Sequence, residues 1–314
     1  MKKWLISSLL GVTLLGGSLA AMVHFAPEVT VHGAMSFERW RNGLTAKTVE
    51  VDGFTWHYLE GGKTGAPTIL MVHGFSANKD NWVRFAGRLT SDYHIVIPDL
   101  PGYGDSVRDL KGDYRLPEQR ERLQVFVKAL KIDKLHIIGS SMGGNVSALY
   151  TFAEPQRVQS MALVGASGVT EPNPSAHSIQ VKTTGNSSLL VATREGYDKT
   201  LAFVMEHPPV IPTFVKDVLA QKAIADRPLY ASILHELVAD KRSALEPILP
   251  QIKVPTLLVW GEQDRARDIS GGQLMHQLMP HSQWVAMKNT GHLPHLERVD
   301  ETAEIYVKFL AGVK

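Results

Sequence analysis

Cysteine is absent from all 314 residues. That single absence removes disulfides, thiolate nucleophiles, cysteine-ligated metals and cysteine lipidation together. Surplus charge is nearly absent too. The formal charge is +2 with histidine neutral, and Lys2 and Lys3 are the only charged residues ahead of Glu28, so the rest of the chain balances. A nucleic-acid-binding domain carries a broad basic field, and none is implied here. Internal repeats and low-complexity tracts are also missing, which argues against solenoids and propellers and for one large domain after the leader.

Charge is missing locally as well. From Trp4 to Phe25 there is no Asp, Glu, Lys or Arg, and at ~1.5 Å per helical residue this run spans a hydrocarbon core of ~30 Å. Secretory cores are shorter, about 7–15 residues. Residues 1–26 therefore read as an uncleaved membrane anchor, with 4–25 in the lipid. Ser18-Leu19-Ala20 resembles a small-residue cleavage site, which keeps secretion after leader removal as the alternative. Lysines at the start hold the amino end in the cytoplasm and put the remainder across the membrane, in the periplasm if the cell is bacterial.

Beyond the leader, short apolar runs at 68–72, 93–98, 134–139, 159–165, 256–260 and 283–287 alternate with helical stretches. This pattern predicts an α/β fold with a mostly parallel sheet covered on both faces. Segments 47–51 and 55–60, joined through Asp52-Gly53, predict an antiparallel hairpin ahead of it. Pro117 to Lys131 predicts a helix whose Leu123, Phe126, Val127 and Leu130 face the core.

The run before Gly139-Ser140-Ser141-Met142-Gly143 ends a strand and the stretch after it begins a helix, which makes Ser141 a candidate nucleophile on a sharp turn. Only one register fits. With Ser140 as nucleophile, Ile138 would occupy the leading glycine position. A serine hydroxyl needs a base, and the base needs a carboxylate to fix its tautomer. Asp264 follows the run 256–260 and His292 follows the run 283–287, so both sit at carboxyl ends of predicted strands, where catalytic groups gather in open parallel sheets. Glu262 and Asp268 compete for the carboxylate role, with Asp264 favoured because Glu262 lies nearer the strand end and Asp268 begins the next helix; Asp99 is held in reserve. A metal reading of His292-Leu293-Pro294-His295 is rejected, since proline disfavours a regular helix and no third ligand is apparent. Gly102-Tyr103-Gly104 lacks the third glycine of a dinucleotide turn. The site is predicted to need no cofactor and no metal.

Loop His73-Gly74-Phe75 follows the first buried run. Backbone N–H groups of Phe75 and Met142 are the expected oxyanion donors. The bland reading of His73-Gly74 is a tight turn with a packing histidine.

Those segments, with Asp99-Leu100-Pro101-Gly102-Tyr103-Gly104-Asp105-Ser106 and Trp260-Gly261-Glu262-Gln263-Asp264, resemble the α/β-hydrolase superfamily over residues 46 to 314. Within it the chain is most similar to membrane-anchored monoacylglycerol lipases and to family V bacterial lipases. The resemblance implies hydrolysis of a carboxylic acyl ester through a Ser141 acyl-enzyme with His292 and Asp264 as partners. It also frames the domains: anchor or signal peptide 1–26, juxtamembrane segment 27–45, hydrolase core 46–170 and 248–314, helical cap 171–247. Within the cap, helices are expected at Tyr197–Val204, Pro212–Ala225 and Leu229–Val238. Two other functions fit less well. Carbon–carbon hydrolases of ring-cleavage products share the triad and cap but have a soluble cytoplasmic setting, and a non-catalytic binding module would be expected to lose a triad member.

Overall fold

The computed structural model describes residues 23–313. Its strands are β1 (Leu44–Val51), β2 (Phe54–Gly62), β3 (Thr68–Val72), β4 (His94–Pro98), β5 (Leu135–Ser140), β6 (Val158–Val164), β7 (Thr256–Gly261) and β8 (Gln283–Met287). They join one sheet in the order β1-β2-β4-β3-β5-β6-β7-β8. β1, β2 and β4 pair antiparallel, and from β4 onward every pairing is parallel. The hairpin turns on Asp52 at φ 52° and Gly53 at φ 76°, the two positive values that a two-residue turn needs to match strand twist.

The apolar runs correspond to β3 through β8 to within one residue at either end. Their side chains supply two cores. Leu70, Val72, Leu135 and Ile137 point into the core covered by the helices Leu116–Ala129 and Met142–Ala153. Ile69, Met71, Ile95 and Ile138 point into the other, closed by Trp82, Phe85 and the Val299–Ala311 helix. Burial on both faces is why these strands lack polar alternation.

Three differences from expectation have physical causes. The first strand starts ahead of the expected residue 47: β1 begins at Leu44, and a helix, Pro27–Arg41, precedes it. Proline at its first turn starts the helix, and Asn42 Nδ2 closes its end on the Glu38 carbonyl at 2.8 Å. Arg39 locks it to the core through a two-pronged bond to Asp80, at 2.6 and 2.7 Å. Second, the two helices expected on either side of Pro228 are one, Thr213–Ala239. Proline there removes a bond to the Ile224 carbonyl, at a cost of about 3 kcal/mol. Burial of Leu229, Tyr230 and Ile233 beyond it, and the ion pair of Asp226 with Arg108 before it, offset that cost. Third, an unforeseen helix, Ala176–Thr184, is capped by Ser175, whose hydroxyl accepts the Ser178 N–H.

The anchor reading of residues 4–25, and the cleavage-like triplet within it, lie almost wholly outside the described residues. Among the described residues no helix is long and apolar enough to cross a membrane.

Candidate active site

Ser141 stands between β5 and the Met142–Ala153 helix at φ 55°, ψ −119°. A side chain with positive φ is strained, so the surroundings must enforce the geometry. Ser141 N–H donates to the Val164 carbonyl at 2.9 Å, and its own carbonyl accepts from Gly144 and Ser167, each at 3.0 Å. Both flanking glycines are obligatory for space. A Cβ on Gly139 would come within 2.2 Å of the Gly143 carbonyl, and one on Gly143 within 2.3 Å of the Val72 and His73 carbonyls.

Downstream, Asp264 and His292 meet. His292 Nδ1 lies 2.8 Å from Asp264 Oδ2, with both residues buried. The second carboxylate oxygen, Oδ1, accepts the Ala266 and Arg267 N–H groups, each at 2.8 Å, which fixes the plane of the carboxylate. A carboxylate only accepts, so the imidazole proton sits on Nδ1 and Nε2 keeps its lone pair. The rivals are engaged elsewhere. Glu262 is exposed, Asp268 caps the Ile269–Leu278 helix through Ser270 N–H at 2.9 Å, and Asp99 is buried against Lys79.

The imidazole packs against Gly165, the residue after the β6 carbonyl of Val164 that accepts the Ser141 N–H. A Cβ there would lie 3.0 Å from His292 Nδ1. Among the described residues, Ser141 Oγ makes no direct hydrogen bond to His292; such contacts are often long before substrate binds.

Met142 N–H opens its helix and Phe75 N–H lies in the loop after β3. Among the described residues neither donates to a protein group. Gly74 brings that loop against Ser141, where a Cβ would come within 3.1 Å of Ser141 Cβ. Two N–H groups without a protein acceptor among the described residues therefore lie on the two segments that meet at Ser141.

Several supporting contacts escaped the sequence reading. Lys79, fully buried, donates to Asp99 Oδ2 at 2.7 Å and to Asp105 Oδ2 at 2.6 Å, while its N–H donates to Asp99 Oδ1 at 2.7 Å. Burial opposes that ammonium, but Asp99, Asp80 and Asp105 together overcome it and raise its pKa. Phe75, Tyr103 and Tyr230 form an aromatic cluster that joins the His73–Phe75 loop to the Thr213–Ala239 helix, with Tyr103 and Tyr230 stacked at 5.5 Å. On the other flank, His292 N–H donates to the Val204 carbonyl at 2.7 Å. Glu297 accepts the neighbouring Gly291 N–H at 3.0 Å and the Glu206 N–H at 2.6 Å. His177, whose N–H bonds the Arg265 carbonyl, is pushed down to about 4 by burial with nearby Arg267 adding to the effect. Burial pushes His295, stacked on Trp82, down to about 3. Repeating signals could have flagged none of these, because each depends on a partner distant in the chain.

Residues 67–299 match the family described as alpha/beta hydrolase fold. The chain is 36% identical over 282 residues to "Lipase 1" of Psychrobacter immobilis, covering 89% of this chain and 88% of that protein. It is 32% identical over 286 residues to a monoacylglycerol lipase of Rattus norvegicus, covering 87% and 85%. A crystal structure of a membrane phospholipase A, a bacterial virulence factor, superposes with a TM-score of 0.90 at 39% identity, covering 100% of this chain and 99% of that one.

Proposed function

The chain belongs to the alpha/beta hydrolase fold family and is a serine ester hydrolase, and from that premise we propose that it cleaves acyl esters of monoacylglycerol type through a covalent acyl-enzyme on Ser141. The observation that carries the assignment is the buried His292–Asp264 pair, 2.8 Å apart, beside a serine held at positive φ. Asp264 fixes the tautomer that leaves His292 Nε2 free to accept the Ser141 proton as Oγ attacks the ester carbonyl. Charge developing on the carbonyl oxygen is received by the Phe75 and Met142 N–H groups. His292 then protonates the departing alcohol, and water repeats the sequence to release the acid.

The substrate side of the reading rests on the lipase relatives and on the 171–247 insertion, read as a helical cap that places Tyr230 against Phe75. Membrane association rests on two features. The charge-free run at 4–25 leads directly into the Pro27–Arg41 helix, and Val29, Phe37 and Trp40 of that helix are exposed at 62%, 57% and 71%. Large apolar side chains left in contact with solvent on one helix suit a lipid interface. With Lys2 and Lys3 retained inside, the catalytic domain would lie on the non-cytoplasmic side; secretion after leader removal is the competing topology.

The test is a graded ester panel on the full chain in detergent or vesicles, with Ser141→Ala beside it. Wild-type enzyme should label with a fluorophosphonate and turn over acylglycerols. The variant should fold, fail to label and lose at least ~10⁴-fold in kcat/KM. Labelling or full turnover by Ser141→Ala would end the assignment, and turnover of a vinylogous diketone acid without ester hydrolysis would move the enzyme to carbon–carbon cleavage.

A further inference from the structure

His73 is buried beside the nucleophile, and both its ring nitrogens are in use. Leu100 N–H lies 3.0 Å from Nε2, and Nδ1 lies 2.8 Å from the Gly74 carbonyl oxygen. These two contacts determine the tautomer. A backbone N–H can only donate, so Nε2 must accept and the proton must sit on Nδ1, which donates to Gly74. The ring is then neutral, in keeping with burial pushing its pKa down.

The Gly74 carbonyl belongs to the same planar peptide as Phe75 N–H. In a trans peptide these two groups point in opposite directions, so holding the oxygen fixes where the N–H aims. Polarising the carbonyl also strengthens that N–H as a donor, as in any chain of hydrogen bonds.

We infer that His73 is a positioning residue that aims and polarises the Phe75 N–H of the oxyanion hole by gripping the far end of its peptide. The inference rests on the acyl-transfer reading of the site. Its ring is itself held: Leu100 fixes one end, and the Tyr103 ring meets it edge-on at 5.3 Å. The Ala77 N–H also reaches the Gly74 oxygen, but at 3.3 Å against 2.8 Å for the imidazole, and the next anchor, the Lys79 N–H bond to Asp99, lies four residues beyond Phe75.

The test compares three variants of the full chain. Asparagine places its amide nitrogen near the position of Nδ1, glutamine reaches toward the position of Nε2, and phenylalanine keeps a flat ring without either bond. His73→Asn should stay within about threefold of wild type, whereas His73→Gln and His73→Phe should lose about tenfold or more in kcat with KM nearly unchanged, as for a weakened oxyanion donor. Affinity for an alkyl boronic acid, which forms a tetrahedral adduct on serine, should fall in step with kcat/KM, while thermal midpoints of the folded variants need not follow that order. Equal losses in Asn and Gln, or boronate affinity untouched in a variant with reduced kcat, would overturn the role of His73 and leave the Ser141 site standing. Wild-type enzyme that ignores the boronate, with Ser141→Ala still active, would overturn both. Should the phenylalanine variant fail to fold, the contrast between Asn and Gln decides the matter.

Discussion

The two flanks of the site are built by different means. On the flank of the proposed nucleophile, placement leans on steric crowding: two glycines admit no Cβ, Ser141 is forced to positive φ, and an ion cluster of buried Lys79 and Asp99 with surface Asp105 holds the adjoining loops. On the flank of the proposed base, crowding at Gly261 and Gly291 is joined by backbone hydrogen bonds between loops, with Gln263 N–H on the Thr290 carbonyl at 3.0 Å and His292 N–H on Val204 at 2.7 Å. The insertion divides along the same line. Its early helices, Ala176–Thr184 and Arg194–Val204, attach to the Asp264 and His292 loops, and its long helix, Thr213–Ala239, attaches to Tyr103, Arg108 and Tyr114 on the nucleophile flank.

Three measurements would break or sharpen that contrast. The largest effect is expected at the tether. Asp264→Asn keeps the shape but offers an N–H where Nδ1 needs an acceptor, so kcat should fall about 10⁴-fold while urea stability changes far less. Activity within tenfold of wild type would mean that the pair does not set the tautomer.

Next comes the packed flank, where the effect should appear in stability. Lys79→Met strands a carboxylate at zero exposure, which costs about 3–5 kcal/mol when a buried pair loses one partner. The double variant with Asp99→Asn should recover part of the loss in chemical denaturation. No recovery would show that the ion pair is not the link between these loops.

The smallest effect is acid sensitivity, and it belongs mainly to the base flank. His177 and His295, lowered to about 4 and about 3, refuse protons in the fold that the unfolded chain accepts near its ordinary value of about 6.5. Stability is therefore full above that value and lost as pH falls through it, by about 2 kcal/mol per histidine at pH 5. His73 contributes in the same direction. Urea midpoints at pH 7 and pH 5 measure the loss, and His295→Phe, which removes a ring nitrogen that has no partner, should shrink the difference. An unchanged difference in that variant would remove His295 from the account.

Much of the fold was legible because sheets buried on both faces write themselves as uninterrupted apolar runs. The glycines around Ser141 and the order of Ser141, Asp264 and His292 likewise belong to the chain itself. What escaped notice depended on distant partners. The Pro27–Arg41 helix buries little beyond Val31 and is fastened by Arg39 reaching Asp80, so its apolar periodicity is weak. The Thr213–Ala239 helix runs through a proline that reads as a break until the burial of Tyr230 and Ile233 is known. His73 looked like packing because its role requires knowing that a backbone N–H from Leu100 faces its ring. The carbonyl of Val204 is beyond any sequence signal, since every residue carries one.

That carbonyl bears on how such enzymes can be rebuilt. Exchanging residues 171–247 for the equivalent stretch of another hydrolase would replace an acceptor that grips the base's own backbone. A chimera assembled for a different acyl preference would have to present an oxygen at the place of Val204, or its imidazole would drift and selectivity would be gained in a catalyst that had lost its turnover.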